Sequence, residues 1–379
     1  MPWEEVSLMS QRREFVKLAQ AEGANVRELC RRFGISPTTG YKWLSRFRGG
    51  GEAGLADLPR RPYCSPRHTR AEVEELVLRV RDGHPAWGGR KLRAWLLARG
   101  HENLPSPSTI TAILTRHGRI DPSESAKHRA WQRFERQAPN ELWQMDFKGH
   151  FPLREGRCHP LTVLDDHSRF SLGLEACGDE RTQTVQQRLT KIFRHFGLPE
   201  RMVMDNGAPW SRDADHRHTP VTVWLLRLGI SVSHGRPYHP QTQGKDERFH
   251  RTLKAEVLRG ATFRDMKHCQ EAFDLWREIY NLERPHQALE MATPASRYHV
   301  SHRPFPEQLP PVEYGPEDQV RRVQDQGRFT WKGRNVKIST AFKGLPVAVR
   351  PANTDGLWDV FFMIHRICQI DLREPAEYV

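Results

Sequence analysis

The sequence predicts a multidomain chain of α and α/β architecture: small helical units in front, an α/β body, and a small β unit at the end. Three observations lead there. Positive charge is concentrated at the front, where residues 1–140 carry 25 Lys/Arg against 15 Asp/Glu. Residues 141–300 carry 23 against 21 and residues 301–379 carry 11 against 10, within a formal net charge of +13. Apolar spacing is helical over the first third, switches to alternation at Leu142, and becomes a series of short strands after Asp318. The 379 residues have room for several cores at about 150 residues per domain. Six scattered cysteines without a CxxC pair argue against a disulfide framework or a Cys-based zinc site. No run approaches the roughly 18 apolar residues of a membrane span, and the start MPWEEVSLMS has no signal-peptide pattern. The expectation is a protein of the reducing cytoplasm, associated with the nucleoid and not with a membrane.

The first unit is placed at residues 1–50. Val26, Leu29, Cys30 and Phe33 recur at helical spacing, and Gly34 supplies a stop. Ser36 followed by Pro37 then caps and opens a second helix. In that helix Tyr41, Leu44 and Phe47 are read as the apolar stripe, with Thr39, Lys42 and Arg46 facing away. A short helix, a tight turn and a helix with a polar, basic outer face follow helix-turn-helix logic, in which the second helix enters the major groove of DNA. Thr39, Lys42 and Arg46 are its candidate DNA contacts.

The pattern returns at 67–120. Val73, Leu76, Val77 and Val80 mark one helix, Leu92, Trp95 and Leu96 another, and Ser106-Pro107-Ser108-Thr109 repeats the capping sequence before Ile113-Leu114. Thr109 and Arg116 are the exposed candidates here. Gly49-Gly50-Gly51 through Pro59-Arg60-Arg61-Pro62 reads as a basic linker, assigned to residues 51–66, that follows the minor groove. A basic connector follows at 121–140, helical over Lys127–Gln137.

In the body, assigned to 141–300, Leu142–Phe147 alternates like a strand, with Trp143, Met145 and Phe147 on one face and Gln144 and Asp146 on the other. Leu161–Leu164 and Phe170–Leu174 extend it as an antiparallel meander around the turn Asp165-Asp166-His167-Ser168. A helix (Thr184–Phe196) leads to the strand Arg201–Met204, which ends in Asp205-Asn206-Gly207. A further helix (Val221–Leu228) and strand (Ile230–Ser233) precede a loop that opens the helix carrying Glu247. At about 100° per residue, Glu247, Arg251 and Lys254 lie within roughly 60° of one another, opposite Phe249, Leu253 and Val257. Asp246 falls on the phenylalanine side. An acid beside a lysine two turns on suits a divalent cation and a DNA phosphate. Asp205-Asn206-Gly207 alone is more often a turn than a catalytic motif, and Asp165-Asp166 reads as a turn pair ranked below Asp146.

The motifs Trp143-Gln144-Met145-Asp146, Leu164-Asp165-Asp166, Met204-Asp205-Asn206-Gly207, and His239 through Phe249 (HPQTQGKDERF) together resemble the retroviral-integrase-type core. They are especially similar to bacterial insertion-sequence transposases, and the resemblance spans residues 10–300. It implies an RNase H-like fold and a catalytic, metal-binding triad of Asp146, Asp205 and Glu247. It implies two Mg²⁺ ions, replaceable by Mn²⁺, with Asp146 bridging both, and places Lys254 and Arg251 near the DNA end. It implies cleavage at the 3′ ends of the element and strand transfer into target DNA, by a homo-oligomer of at least two copies on double-stranded DNA. The interval from Asp205 to Glu247 is longer than in retroviral integrases, and helix-turn-helix units stand where those carry a His/Cys zinc module. A regulator that binds without cutting and a plain RNase H-like nuclease are the alternatives.

In the tail, Met266–Leu282 reads as one helix carrying Phe273, Trp276 and Tyr280 as core. Residues 301–316 hold five prolines and read as a linker. Residues 317–379 predict strands at Phe329–Trp331, Asn335–Ile338, Pro346–Arg350, Leu357–Phe362 and Ile367–Ile370. Their spacing suggests a small β-barrel, SH3-like by analogy with integrases, for DNA contact or subunit packing.

Overall fold

The structure, a computed structural model, describes residues 8–57, 69–121, 135–211, 218–235 and 244–373. Residues 1–68 and 69–379 pack as separate units. In the first, helices α1 (Leu8–Ala19), α2 (Val26–Arg32) and α3 (Pro37–Gly50) enclose Phe15, Val16, Cys30, Trp43, Leu44 and Leu55. Ser36 caps α3 by accepting from the Thr39 amide, with Pro37 at the first position. The buried stripe of α3 is Gly40, Trp43 and Leu44, with Phe47 half-buried, so Tyr41 belongs to the outer face and is 53% exposed. Gly40 is required inside, since a Cβ there would collide with the Cys30 thiol and the Phe15 ring. The expected linker does not begin at Gly49. The helix runs through Gly50, and a 3₁₀ turn, Gly51–Leu55, folds back to bury Leu55, whose carbonyl accepts from Arg12 at 2.9 Å. Gly54 permits this, because a Cβ would meet the Arg46 carbonyl. The Pro59–Pro62 stretch, most of the connector helix and the loop from Arg236 to Gln243 lie outside the described residues.

The larger unit opens with a second three-helix domain, α4 (Ala71–Gly83), α5 (Gly89–Ala98) and α6 (Pro107–Arg116), around Val77, Trp87, Leu92, Leu96, Ile110 and Leu114. Ser106 caps α6 as Ser36 caps α3, accepting from the Thr109 amide at 3.2 Å. The body is a sheet in the order β4-β3-β1-β5-β6, formed by β1 (Trp143–Phe147), β3 (Arg157–Asp165), β4 (Ser171–Cys177), β5 (Arg201–Met204) and β6 (Ser231–His234). The short β2 (Phe151–Pro152) pairs with the start of β3. β4, β3 and β1 are antiparallel, whereas β1, β5 and β6 are parallel.

Both faces of the sheet are covered, so β1 is buried on both. Helices α7 (Thr182–Phe196) and α8 (Pro220–Arg227) pack Leu189, Phe193, Val221 and Leu225 against Trp143, Met145 and Met202 on one face. On the other, α9 (Gly244–Leu253) and α10 (Met266–Glu278) bring Phe249, Leu253, Phe273 and Trp276 against Leu164, Leu174 and Ala176. Fully burying one such side chain contributes roughly 1.5–3 kcal/mol, so these contacts fix where α9 lies. α10 stops at Glu278 and continues as a π-helical segment, Ile279–Glu283, not as one helix to Leu282. That segment carries the second helical domain: Ile279 packs into its core, and Glu283 accepts from Arg99 at 2.6 Å and from the Trp95 indole at 3.4 Å.

The C-terminal strands form an open sheet, not a closed barrel, among the described residues. β7 (Gln319–Arg322), β10 (Pro346–Pro351), β11 (Leu357–Phe362) and β12 (His365–Asp371) pair in the order β12-β11-β10-β7, and β8 (Arg328–Trp331) with β9 (Arg334–Lys337) makes a separate hairpin. The hairpin is held by Phe329 and Trp331 in a shared core instead of by strand pairing. That core extends to Val223 and Leu226 of α8, so the body closes what a barrel would have closed on itself.

Candidate active site

Two of the three predicted acids sit where strands of the sheet end, and the third is on α9. Asp146 is near the end of β1, whose parallel register with β5 (Gln144 opposite Val203) carries forward to bring Asp205 alongside it. Asp205 lies in an Asx turn: its Oδ1 accepts from the Gly207 amide at 3.0 Å, while Asn206 reaches the Gly235 carbonyl at 2.8 Å. The turn and the catalytic candidacy of Asp-Asn-Gly are thus compatible, because the turn orients the carboxylate. Beyond it Trp210 is buried and stacks on Phe147, pinning the Asp205 loop to β1. Glu247 lies in the first turn of α9 and is exposed, as are Arg251 and Lys254, while Phe249 and Leu253 are buried. For Glu247, Arg251, Phe249 and Leu253 the sides expected from spacing are those observed, whereas Lys254 and Val257 fall in a π-helical segment, Lys254–Leu258, where that spacing no longer applies.

Electrostatics link the three. The Asp146 carboxyl is pushed up to about 7, first by burial and then by the negative charges of Asp205, Glu180 and Glu247, against one lowering hydrogen bond from the Phe147 amide.

Two groups beside Asp146 were not marked out by the sequence. Asp246 is completely buried, neither of its carboxylate oxygens has a hydrogen-bond partner among the described residues, and burial with the charges of Asp146 and Asp166 raises its pKa. Burial of this kind favours the uncharged form of the acid. His250 is 9% exposed, and its pKa falls to about 3 through burial and the charge of Lys148. The Thr162 hydroxyl donates to the Asp146 carbonyl at 3.0 Å, so at 2.8 Å it accepts from His250 Nε2. That leaves the Nδ1 lone pair 3.9 Å from Asp146 Oδ2. A sequence signal existed for both: Asp246 and His250 fall on the stripe of Phe249 and Leu253, and a polar group on an apolar stripe needs a reason.

Asp165 and Asp166 do another job. Asp165 accepts from the Asn140 amide at 2.8 Å and from Ser168 through its amide at 2.7 Å and its hydroxyl at 2.6 Å. Asp166 is 1% exposed and pairs through Oδ1 with Lys245 at 2.5 Å and with the Gln144 amide at 2.7 Å, while Oδ2 accepts from the Arg136 amide. Lys245, just before Asp246 on α9, has its pKa lowered to about 8 by burial and by Arg169, despite Asp166. This pair ties the start of α9 to the sheet.

The DNA-contact candidates divide. Lys42 is exposed and lies over the Trp43 ring with Arg46 (5.1 Å each), as does Arg12 at 4.0 Å, so three cations gather on one face of α3. Thr39 and Thr109 fold back on their capping serines at 2.9 Å. Arg116 pairs with Glu74 at 2.6 Å within its own domain.

With this geometry in hand, comparison with known proteins is specific. Residues 136–240 and 228–294 match integrase core domains, residues 11–63 a helix-turn-helix domain, residues 39–114 a homeodomain-like domain, and residues 318–377 the IS481 family transposase C-terminal domain. Among curated relatives, a 31.7 kDa protein of insertion element IS407 from Burkholderia multivorans is 26% identical over 166 residues, 44% of this chain and 57% of that protein. A 39.2 kDa protein of insertion element IS476 from Xanthomonas euvesicatoria is 26% identical over 157 residues, 41% and 44% of the two chains. The chain thus spans about half the length of the insertion-element proteins it matches. Among solved structures, the HTLV-2 integrase catalytic core domain in complex with magnesium shares 15% identity over 43% of this chain and 99% of that one, at a TM-score of 0.33, too low to carry weight. Fold and site define an integrase-core protein preceded by helix-turn-helix domains. Together these matches support a bacterial insertion-sequence transposase with an integrase-type core.

Proposed function

We propose that this protein cuts DNA at the ends of its own insertion sequence and joins the freed 3′ ends to a target, with Asp146, Asp205 and Glu247 as the catalytic acids. The observation that carries the reading is that the charges of Asp205 and Glu247 both act on Asp146, near the end of the parallel strands, with Glu247 on an exposed helix face shared by Arg251.

The donor set fits magnesium: three carboxylates, oxygen donors only, with negative charge focused on Asp146. Among the described residues no three His, Cys, Asp or Glu side chains are already gathered as a metal cage, so the carboxylates must draw together around their ligand. Asp146, Asp205 and Glu247 would hold two divalent cations, with manganese able to substitute. When bound, such ions activate the attacking oxygen and neutralise the phosphate. His250, donating to Thr162 and held well below its usual pKa, adds no competing cation beside Asp146. Arg251 and Lys254 would hold the DNA end beside Glu247, and Lys42 and Arg46 the sequence at the element ends. Thr39, Thr109 and Arg116 have partners inside the protein, so their part in DNA contact would require those bonds to open. Two ends must be brought together, so the working form would be a multimer of at least two copies.

The test uses purified protein and labelled DNA from the flanks of its own gene, with and without Mg²⁺. Strand-specific nicking at the element ends, absent in Asp146→Asn, is expected. Tight binding without nicking, even with paired ends and target supplied, overturns the enzymatic reading in favour of a regulator.

A further inference from the structure

Helix α9 presents more than its catalytic face. Advancing about 100° per residue from Glu247, the helix places Arg251 near 40°, Arg248 near 100° and Thr252 near 140°. Thr252 Oγ1 lies 3.5 Å from an Arg284 amino group, which carries the basic strip around the helix to the chain beyond the π-helical segment. On the far side stands α5 of the second helical domain, held against this segment by Arg99, Trp95 and Ile279. Lys91, in the first turn of α5, feels the charges of Arg284, Glu256 and Arg248. Cations of α9 and of α5 therefore flank the buried Arg284–Glu256 pair between the candidate active site and the second helical domain.

The acid in this region is already engaged. Glu256 accepts from the Trp276 indole at 2.8 Å and from Arg284 at 3.3 Å, and only 6% of its side chain is exposed. Among the described residues Lys91, Arg248 and Arg251 have no carboxylate within ion-pair distance. Burial and the neighbouring Arg284 hold the Lys91 pKa down to about 7. A folded protein that gathers three such cations without counterions is prepared for an anion from outside.

We infer that Lys91, Arg248 and Arg251, braced by Arg284, form a binding site for the phosphodiester backbone of duplex DNA, leading the strand from the second helix-turn-helix domain to the catalytic acids. The inference rests on the reading of DNA as the substrate, and adds where the duplex runs between two parts of the chain. It also explains why the second helical domain is seated on the π-helical segment Ile279–Glu283: the domain supplies one wall of the path.

The experiment measures binding of the full-length protein to a labelled duplex, with magnesium chelated so that nothing is cut, over a range of salt. The slope of log affinity against log salt should fall by about one for each phosphate contact removed. Lys91→Gln and Arg248→Gln are each expected to flatten it by about one, and the pair by about two. Lys91→Arg should keep the wild-type slope. Thermal melting gives the control: relief of uncompensated charge leaves Tm unchanged or raises it, whereas a structural ion pair of Lys91 with Glu256 predicts a lower Tm. Arg248 is exposed, so its variant tests the path apart from packing. Wild-type slopes in both glutamine variants, or a lower Tm for Lys91→Gln with an unchanged slope, overturn the inference while the transposase reading stands. A wild-type protein that does not bind duplex at all overturns both.

Discussion

Two groups of acids lie around one sheet, Asp165 and Asp166 at the end of β3, and Asp146, Asp205 and Glu247 on β1, after β5 and on α9, and they are treated in opposite ways. Asp165 and Asp166 are buried and surrounded by donors: the Asn140, Ser168 and Arg136 amides, the Ser168 hydroxyl, the Gln144 side chain and Lys245. Asp146, Asp205 and Glu247 are left with few donors and with one another's charge. A carboxylate whose lone pairs are already filled braces the fold. One kept short of donors retains capacity for a ligand and loses folding stability for it, which is how active sites commonly differ from their scaffolds.

The largest expected effect is on the second group. Asp146→Asn should reduce cleavage by at least about a thousandfold, since an amide can neither carry the charge nor ligate a hard cation as well. The same change should stabilise the fold at pH 8. Asp146 rises from 3.8 to about 7 on folding, so the stability it confers is complete below pH about 4 and is lost as pH climbs through 7. About three pKa units correspond to about 4 kcal/mol, and residual solvent reduces this to about 2–3 kcal/mol. Urea melts at pH 4 and pH 8 read it: the variant should gain over wild type only at the higher pH. A variant less stable at both would move Asp146 into the bracing group.

Next comes the opposite outcome in the first group. Asp166→Ala leaves the Lys245 ammonium buried beside Arg169 with its carboxylate gone, and should cost about 3–5 kcal/mol. The urea midpoint measures it, and residual activity should follow the folded fraction. Asp165→Asn is milder, about 1–3 kcal/mol, because the amide keeps one acceptor oxygen while presenting a donor to donors. If either variant stayed fully folded yet lost cleavage, the division between the two groups would fail.

How much of this could be read from the sequence follows from period and range. The strand Trp143–Phe147 announces itself by local alternation, and the later part of Arg157–Asp165 by a short apolar run, Leu161 to Leu164. Phe249 and Leu253 announce which side of α9 is inward, so the position of Glu247 followed from spacing alone. The role of Asp166 did not, since it depends on Lys245, 79 residues away in the chain. Tyr41 was misplaced because three helical positions with apolar side chains fit a stripe as well as Gly40 and Trp43 do, and only the close approach of Cys30 and Phe15 chooses between them. The open C-terminal sheet was missed for a similar reason: strand spacing gives the strands, while Val223 and Leu226, far upstream in the chain, decide what they pack against.

The smallest effect tests the residue that belongs to neither group. Asp246 is buried like Asp165 but has no hydrogen-bond partner on either oxygen among the described residues, and its neighbours include Asp146 and Asp166. Its pKa is raised, so folding at neutral pH must either protonate it or hold a charge in apolar surroundings. Its contribution to stability is therefore present at acid pH and lost as pH rises. Asp246→Asn removes that dependence with almost no change in shape, and the variant should match wild type near pH 4 and melt higher at pH 8. The gain should be smaller than the Asp166→Ala loss, since a neutral amide in the same place is also left without partners. The activity readout then separates two explanations for keeping an acid there. Unchanged cleavage across pH would make Asp246 a tolerated cost of the helix face that presents Glu247. A shifted pH profile with intact binding would show that its charge state is felt at Asp146, making it a positioning residue of the catalytic group.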